Sequence, residues 1–120
     1  MILKQYEKNG AQIIALPERL MMADCHAARI IFKQLLENCS QPVLVDFSEL
    51  VFMDSSGLGV LVNAHQMAKN AGLMFALFNI KPTVLSLIEL TQLDQIFSIH
   101  SDEQAAYEAI KKHTEQPAHA

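Results

Sequence analysis

The sequence predicts an α/β domain with a mixed, mostly parallel sheet, an N-terminal β-hairpin and a right-handed βα superhelix. Three observations carry this. Asn9-Gly10 joins two short strand-like runs. Downstream, strand-like and helical patterns alternate, which argues for parallel strands joined by right-handed crossovers. The later strand-like runs are almost wholly apolar, as strands covered on both faces are. Adding neighbouring strands in sequence order puts the connecting helices on one face, without the strand-order reversal that makes a dinucleotide crevice.

The elements follow in order. Runs 3–8 and 12–16 flank Asn9-Gly10, and a type I′ turn needs positive φ at both central positions. Pro17 ends the second run. Over 24–37, Ala27, Ile30, Ile31 and Leu35 recur at helical spacing, with Arg29, Lys33 and Glu37 on the other side; Asn38 and Pro42 close the helix. Residues 43–47 read as a central strand. Asp54-Ser55-Ser56-Gly57-Leu58-Gly59 opens a helix that runs to Ala71, with Gly72 as its stop. Residues 73–78 form another buried strand. Pro82 starts a third helix, which reaches Leu90, Pro being favoured at the first helical position. A last strand spans 96–99. A closing helix spans 102–112, acidic at its start and basic at its end, as the helix dipole favours. The domain is expected over 1–113 and a frayed tail over 114–120.

Composition bounds the function. The chain has 120 residues, 51% hydrophobic and 18% charged, with a net charge of −4. This is too apolar for a disordered chain and too acidic for a nucleic-acid binder, which needs clustered Lys and Arg. Cys25 and Cys39 are too few for a disulfide framework and read as reduced thiols. No run is long enough to span a membrane, and charge at Lys4 and Glu7 comes too early for a secretory signal. The expectation is a soluble, cytoplasmic monomer.

One segment, 54–59, stands out. It lies between a strand and a helix N-terminus, where unpaired N–H groups favour a cap, and Ser55 or Ser56 suits that role. A cap with a turn is the plainest reading. A phosphate cradle would need a Gly-Lys-Ser/Thr run, and no Lys or Arg occurs from 34 to 68. A nucleophilic serine would need a base nearby, but His65 stands about 14 Å along the same helix. A receiver of phosphoryl groups, suggested by Asp46 and Lys81, lacks the acidic pair that would hold Mg²⁺. His26, His100, His113 and His119 show no metal-ligand spacing, and no cofactor is implied. A serine modified by another protein needs neither base, metal nor basic cradle. Phosphorylation would add about −1.5 to −2 charges.

The stretch Val45-Asp46-Phe47-Ser48-Glu49-Leu50-Val51-Phe52-Met53-Asp54-Ser55-Ser56-Gly57-Leu58-Gly59-Val60-Leu61 resembles the signature of STAS domains of the anti-sigma factor antagonist type. The likeness continues through Asn79-Ile80-Lys81-Pro82 and the apolar helix to Leu93. It implies a non-enzymatic, partner-switching protein with that family's fold. Such a domain binds an anti-sigma factor that is also a serine kinase. The kinase then phosphorylates the serine after the motif's Asp, here Ser55, and a PP2C-type phosphatase reverses this. Two departures stand out. Loop 17–24 lacks the family's Gly, and Asp24 replaces its Asp only with a shift; Thr91-Gln92 replaces a small Ser-Gly pair. The altered loop favours the alternative, a non-switching scaffold or regulatory module binding a transporter, a sensor or a non-sigma regulator.

The helix after Ser55 carries two apolar rows. Leu58, Leu61, Val62, His65 and Ala68 suit the core. Val60, Ala64, Met67 and Ala71 form the second, which either packs on a neighbouring helix or faces a partner. The partner surface is expected to comprise Asp54, Ser55, Ser56, Gly57, Leu58, Gly59, Val60, Ala64 and Met67, extended by Met21 and Met22. The lack of basic residues in 34–68 predicts an acidic rim around Ser55.

Overall fold

The computed structural model describes residues 3–115, with side chains over 3–112. Five strands form the main sheet: β1 (Lys4–Lys8), β2 (Ala11–Ala15), β4 (Val43–Asp46), β6 (Phe75–Phe78) and β7 (Ser98–His100), in that spatial order. β1 pairs antiparallel with β2, and every other pairing is parallel. The hairpin turn has φ of 53° at Asn9 and 80° at Gly10, the left-handed pair that a type I′ turn demands. It sets Lys8 opposite Ala11. The edge strand β1 is exposed throughout and carries charge, which discourages edge-to-edge pairing.

The strand period divides the core. Ile14, Val43, Val45, Phe75 and Leu77 point to one face, and Ile13, Leu44, Ala76 and Phe78 to the other. The first face is covered by α1 (Cys25–Glu37), α2 (Ser55–Asn70) and α3 (Pro82–Leu90). The other takes α4 (Glu103–Glu115) through Ala106, Tyr107 and Ile110. The strand order and the connecting helices on one face are as the sequence predicts.

Four details differ. α1 buries Cys25, Ala28, Phe32, Leu35 and Leu36; of the expected row, Leu35 is buried and Ile31 packs against the core in part, whereas Ala27 is exposed and Ile30 is 44% exposed. The helix carries two apolar stripes, and the one holding the large Phe32 ring wins the core. A second, two-stranded parallel sheet, β3 (Arg19–Leu20) with β5 (Phe52–Met53), joins loops that carry no period to read. The last strand starts later than expected, because a 3-10 turn at Leu93–Gln95 precedes it and Phe97 drops into the core. Gln92 enters that turn at φ 61°, a left-handed backbone that a glycine takes without strain. Finally, α4 runs to Glu115, so Thr114 and Glu115 belong to the helix. The expected tail over 116–120 lies outside the described residues.

No helix among the described residues is long and apolar enough to cross a membrane. Cys25 and Cys39 are free thiols.

His65 is half-buried between the edges of Phe75 and Phe97, with ring centroids 6.0 and 5.8 Å away. Its Nδ1 is buried without a hydrogen-bond partner. Burial, then Lys69, pushes its pKa below the usual 6.5. The folded state thus holds it neutral where the unfolded chain begins to protonate. Its contribution to stability is complete above the unfolded value and is lost as pH falls from about 6.5. The urea midpoint should therefore drop between pH 7.5 and 5.5, and the drop should shrink in His65→Leu. An equal drop in both proteins would exclude His65 as its source.

Candidate functional site

The site is built where the two small strands meet the start of α2. After β4 the chain turns at Asp46, whose Oδ1 accepts from Ser48 N (2.9 Å) and Asn79 Nδ2 (3.4 Å). Lys81 Nζ donates to the Ser48 carbonyl rather than to Asp46. Asp46 and Lys81 are thus turn-builders after β4 and β6, each bonded to the loop rather than to the other. Phe47 and Leu50 bury themselves. The amides of Val51 and Phe52 both donate to Glu18 O. This lifts the Val51 and Phe52 side chains to the surface, 41% and 53% exposed.

Asp54 joins the two halves of the site. It sits at the N-cap of α2 in extended conformation, and its Oδ1 accepts from Gly57 N at 3.1 Å. Its Oδ2 accepts from Met22 N at 3.0 Å. One carboxylate therefore caps the helix and fastens loop 17–24 to it. The sequence suggested Ser55 or Ser56 as the cap. Asp54 takes that role instead, which leaves Ser55 at the first helical position, exposed, and Ser56 half-buried. Replacing Asp54 with alanine removes the cap and strands the Met22 amide. The expected loss is about 1–2 kcal/mol in a urea melt. Asp54→Asn, which can accept but one of the two bonds cleanly, should fall between; an unchanged Asp54→Ala melt would refute the bridging role.

The altered loop has an internal brace. Asp24, 7% exposed, accepts from Met21 N at 2.9 Å and meets Arg19 Nε at 3.4 Å. The Met21 amide first, and Arg19 after it, hold this carboxyl below the ordinary range. Cys25 donates its thiol to Met21 O at 3.2 Å, and burial first, then the Asp54 charge, pushes its pKa up. It stays a protonated, unreactive thiol.

Several expected surface residues lie elsewhere. Val60 and Ala64 are each 1% exposed, buried in the core cluster that α2 shares with Ala28 and Phe32 of α1. Met67 is half-buried against the core. Gly57 and Leu58 are buried too. What reaches the surface is Ser55 and Met22, the latter 72% exposed, with Asp54, Ser56, Gly59 and Met21 in part. A shallow groove runs from Ser55 past Gly59 and Val62 to Thr91 and Leu93. A second lies between Met21, Phe52 and Leu87. Val51 and Phe52 were missed as surface residues. An apolar loop between a strand and a polar helix start is the signal that could have found them.

The rim is not purely acidic. Arg29 of α1 reaches over Gly59, where a Cβ would lie 3.5 Å from its Nη2. No cation lies within 34–68 of the sequence, yet helix packing brings one from outside it. His65 faces the core and takes no part. Among the described residues, no group of three His, Cys, Asp or Glu side chains is placed to hold a metal ion. The site has the makings of a contact surface around an exposed hydroxyl.

Comparisons with known proteins agree with this layout. The anti-sigma F factor antagonist of Paenibacillus polymyxa is 28% identical over 98 residues, covering 78% of this chain and 81% of that protein. An anti-sigma-factor antagonist (STAS) domain protein from Planctomyces limnophilus superposes with a TM-score of 0.83 at 21% identity, over 91% of this chain and 97% of that one. The phosphorylated form of SpoIIAA, a Bacillus cell fate determinant, gives 0.69 at 18% identity, over 90% and 99%. The model of the STAS domain matches residues 2–106, and with that match the chain belongs to the STAS domain family, among relatives named as anti-sigma factor antagonists.

Proposed function

We propose that this chain is an anti-sigma factor antagonist in a partner-switching pathway. Unmodified, it binds an anti-sigma factor that is also a serine kinase; phosphorylated on Ser55, it is released. A PP2C-type phosphatase returns it to the binding form. The chain acts as a ligand and a substrate, and catalyses nothing itself.

The observation that carries this reading is the placement of Ser55. Its hydroxyl is exposed at the first position of α2, beside Asp54, which holds the Met22 amide, and at the head of a groove lined by Leu58, Val62 and Leu93. Such a surface suits a partner. An added dianion beside Asp54 would be repelled there and would cost desolvation if covered. The names of its relatives support the reading, and SpoIIAA has been described in both unphosphorylated and phosphorylated forms.

The test is incubation of the purified chain with ATP and a serine-kinase anti-sigma factor from the same organism, followed by intact-mass and fragment analysis. One phosphate on Ser55 is expected, with none on Ser55→Ala. Modification at Ser56 instead, or none at all, would overturn the proposal.

A further inference from the structure

Arg29 is a cation that helix packing brings to the Ser55 end of α2. It lies on the second turn of α1, and α1 packs along α2. Its Nη2 lies 3.5 Å from where a Gly59 Cβ would stand. Gly59 follows Ser55 by four residues, so the two share one helix face about 5–6 Å apart. Arg19, Lys4 and Lys8 each meet a carboxylate, whereas Arg29 has no ion pair or hydrogen bond with any described residue. The Cys25 thiol, one turn before Arg29, is buried and feels the charges of both Asp54 and Arg29. The guanidinium therefore stands one helical turn from Ser55 along α2.

We propose that Arg29 is the internal counter-charge of phosphorylated Ser55, turning from its place over Gly59 to hold the phosphate oxygens. This rests on the reading of Ser55 as the modified serine. The geometry favours it in three ways. Gly59 has no side chain to stand between the two groups. A phosphate projects farther than the serine hydroxyl and shortens the remaining gap. The guanidinium fork matches phosphate oxygens pairwise. Asp54 opposes the new charge, but both its oxygens already accept backbone N–H bonds, from Gly57 and Met22. The phosphorylated form would then carry its phosphate as a local ion pair, retained on the free protein once the partner has left.

The test needs no kinase. The chain is made with phosphoserine incorporated at position 55 during translation, and its phosphate is titrated by ³¹P NMR in wild type, Arg29→Ala and Arg29→Lys. A cation beside the phosphate favours its dianion, so the wild-type midpoint should lie below that of Arg29→Ala by roughly half a pH unit. Arg29→Lys should fall between, and added salt should shrink the difference. The α2 N-terminus and Asp54 are common to all three proteins and cancel. Arg29 is exposed, and a thermal melt confirms that each variant is folded. Equal midpoints in wild type and Arg29→Ala would overturn the proposal. If they are equal while phosphorylation still abolishes partner binding, the counter-charge fails and the switch stands. If they differ while the phosphorylated chain still binds, the counter-charge stands and the switch fails.

Discussion

Gly57→Ala is expected to destabilise the protein by roughly 2 kcal/mol or more, although it replaces a poor helix former with the best. A Cβ at Gly57 would stand 2.5 Å from Leu20 O, 3.0 Å from Met53 Cγ and 3.2 Å from Leu20 Cγ. The first of these is backbone, and it belongs to β3, which is held against β5 by the pairing of Leu20 with Met53. The carbonyl cannot retreat without opening that pair. The clash therefore outweighs the helix propensity gain of about 1 kcal/mol. Gly59→Ala is the control. Its Cβ would meet the end of the flexible Arg29 side chain at 3.5 Å, an ordinary contact. There the propensity gain is unopposed, and the variant should be neutral or up to about 1 kcal/mol more stable. Urea unfolding of the two variants, two residues apart on one helix, separates packing from propensity. Matching midpoints would mean that β3 does not press on Gly57.

The contrast between these two glycines marks what the sequence makes legible. Asn9-Gly10 announces its turn because few dipeptides tolerate two left-handed residues. The apolar runs at 43–47 and 73–78 announce buried strands because a parallel sheet leaves no polar face. The motif at 54–59 announces the start of α2, where Ser55 is exposed. By contrast, the close approach of Leu20 O to Gly57 depends on a two-residue strand pair with no period of its own. The choice between the two stripes of α1, and the covering of the second row of α2 as well as the first, is made by tertiary packing. That choice buries Val60 and Ala64, and local spacing cannot decide it. Arg29 is the same case. A gap of basic residues along the sequence is not a gap in space, because α1 lies beside α2. Asp54 as the cap is a subtler miss: Asp, Ser and Asn cap about equally well, and the choice turns on the Met22 amide, which Asp54 alone reaches as well.

Ser55→Asp should bind the proposed anti-sigma partner 100-fold or more weaker, on the order of 3 kcal/mol, while Ser55→Ala should stay within about tenfold of wild type. The hydroxyl is exposed, and its loss removes at most one neutral hydrogen bond. The carboxylate instead adds charge next to Asp54, at the head of the groove lined by Leu58, Val62 and Leu93, where a docked partner would exclude water. A charge left buried and unpaired there costs several kcal/mol, and Arg29 offsets part of it only if it turns toward the site. Asp carries half the charge of a phosphate and reaches less far, so the substitution gives a lower bound on the effect of the modification. The folded state offers an internal control. A negative charge at the first turn of α2 is favoured by the helix dipole, so Ser55→Asp should melt at or slightly above the wild-type temperature. Loss of binding without loss of stability is the signature of an interface charge. Loss of both would mean that Ser55 serves the fold, and retention of binding by Ser55→Asp would mean that the partner docks elsewhere.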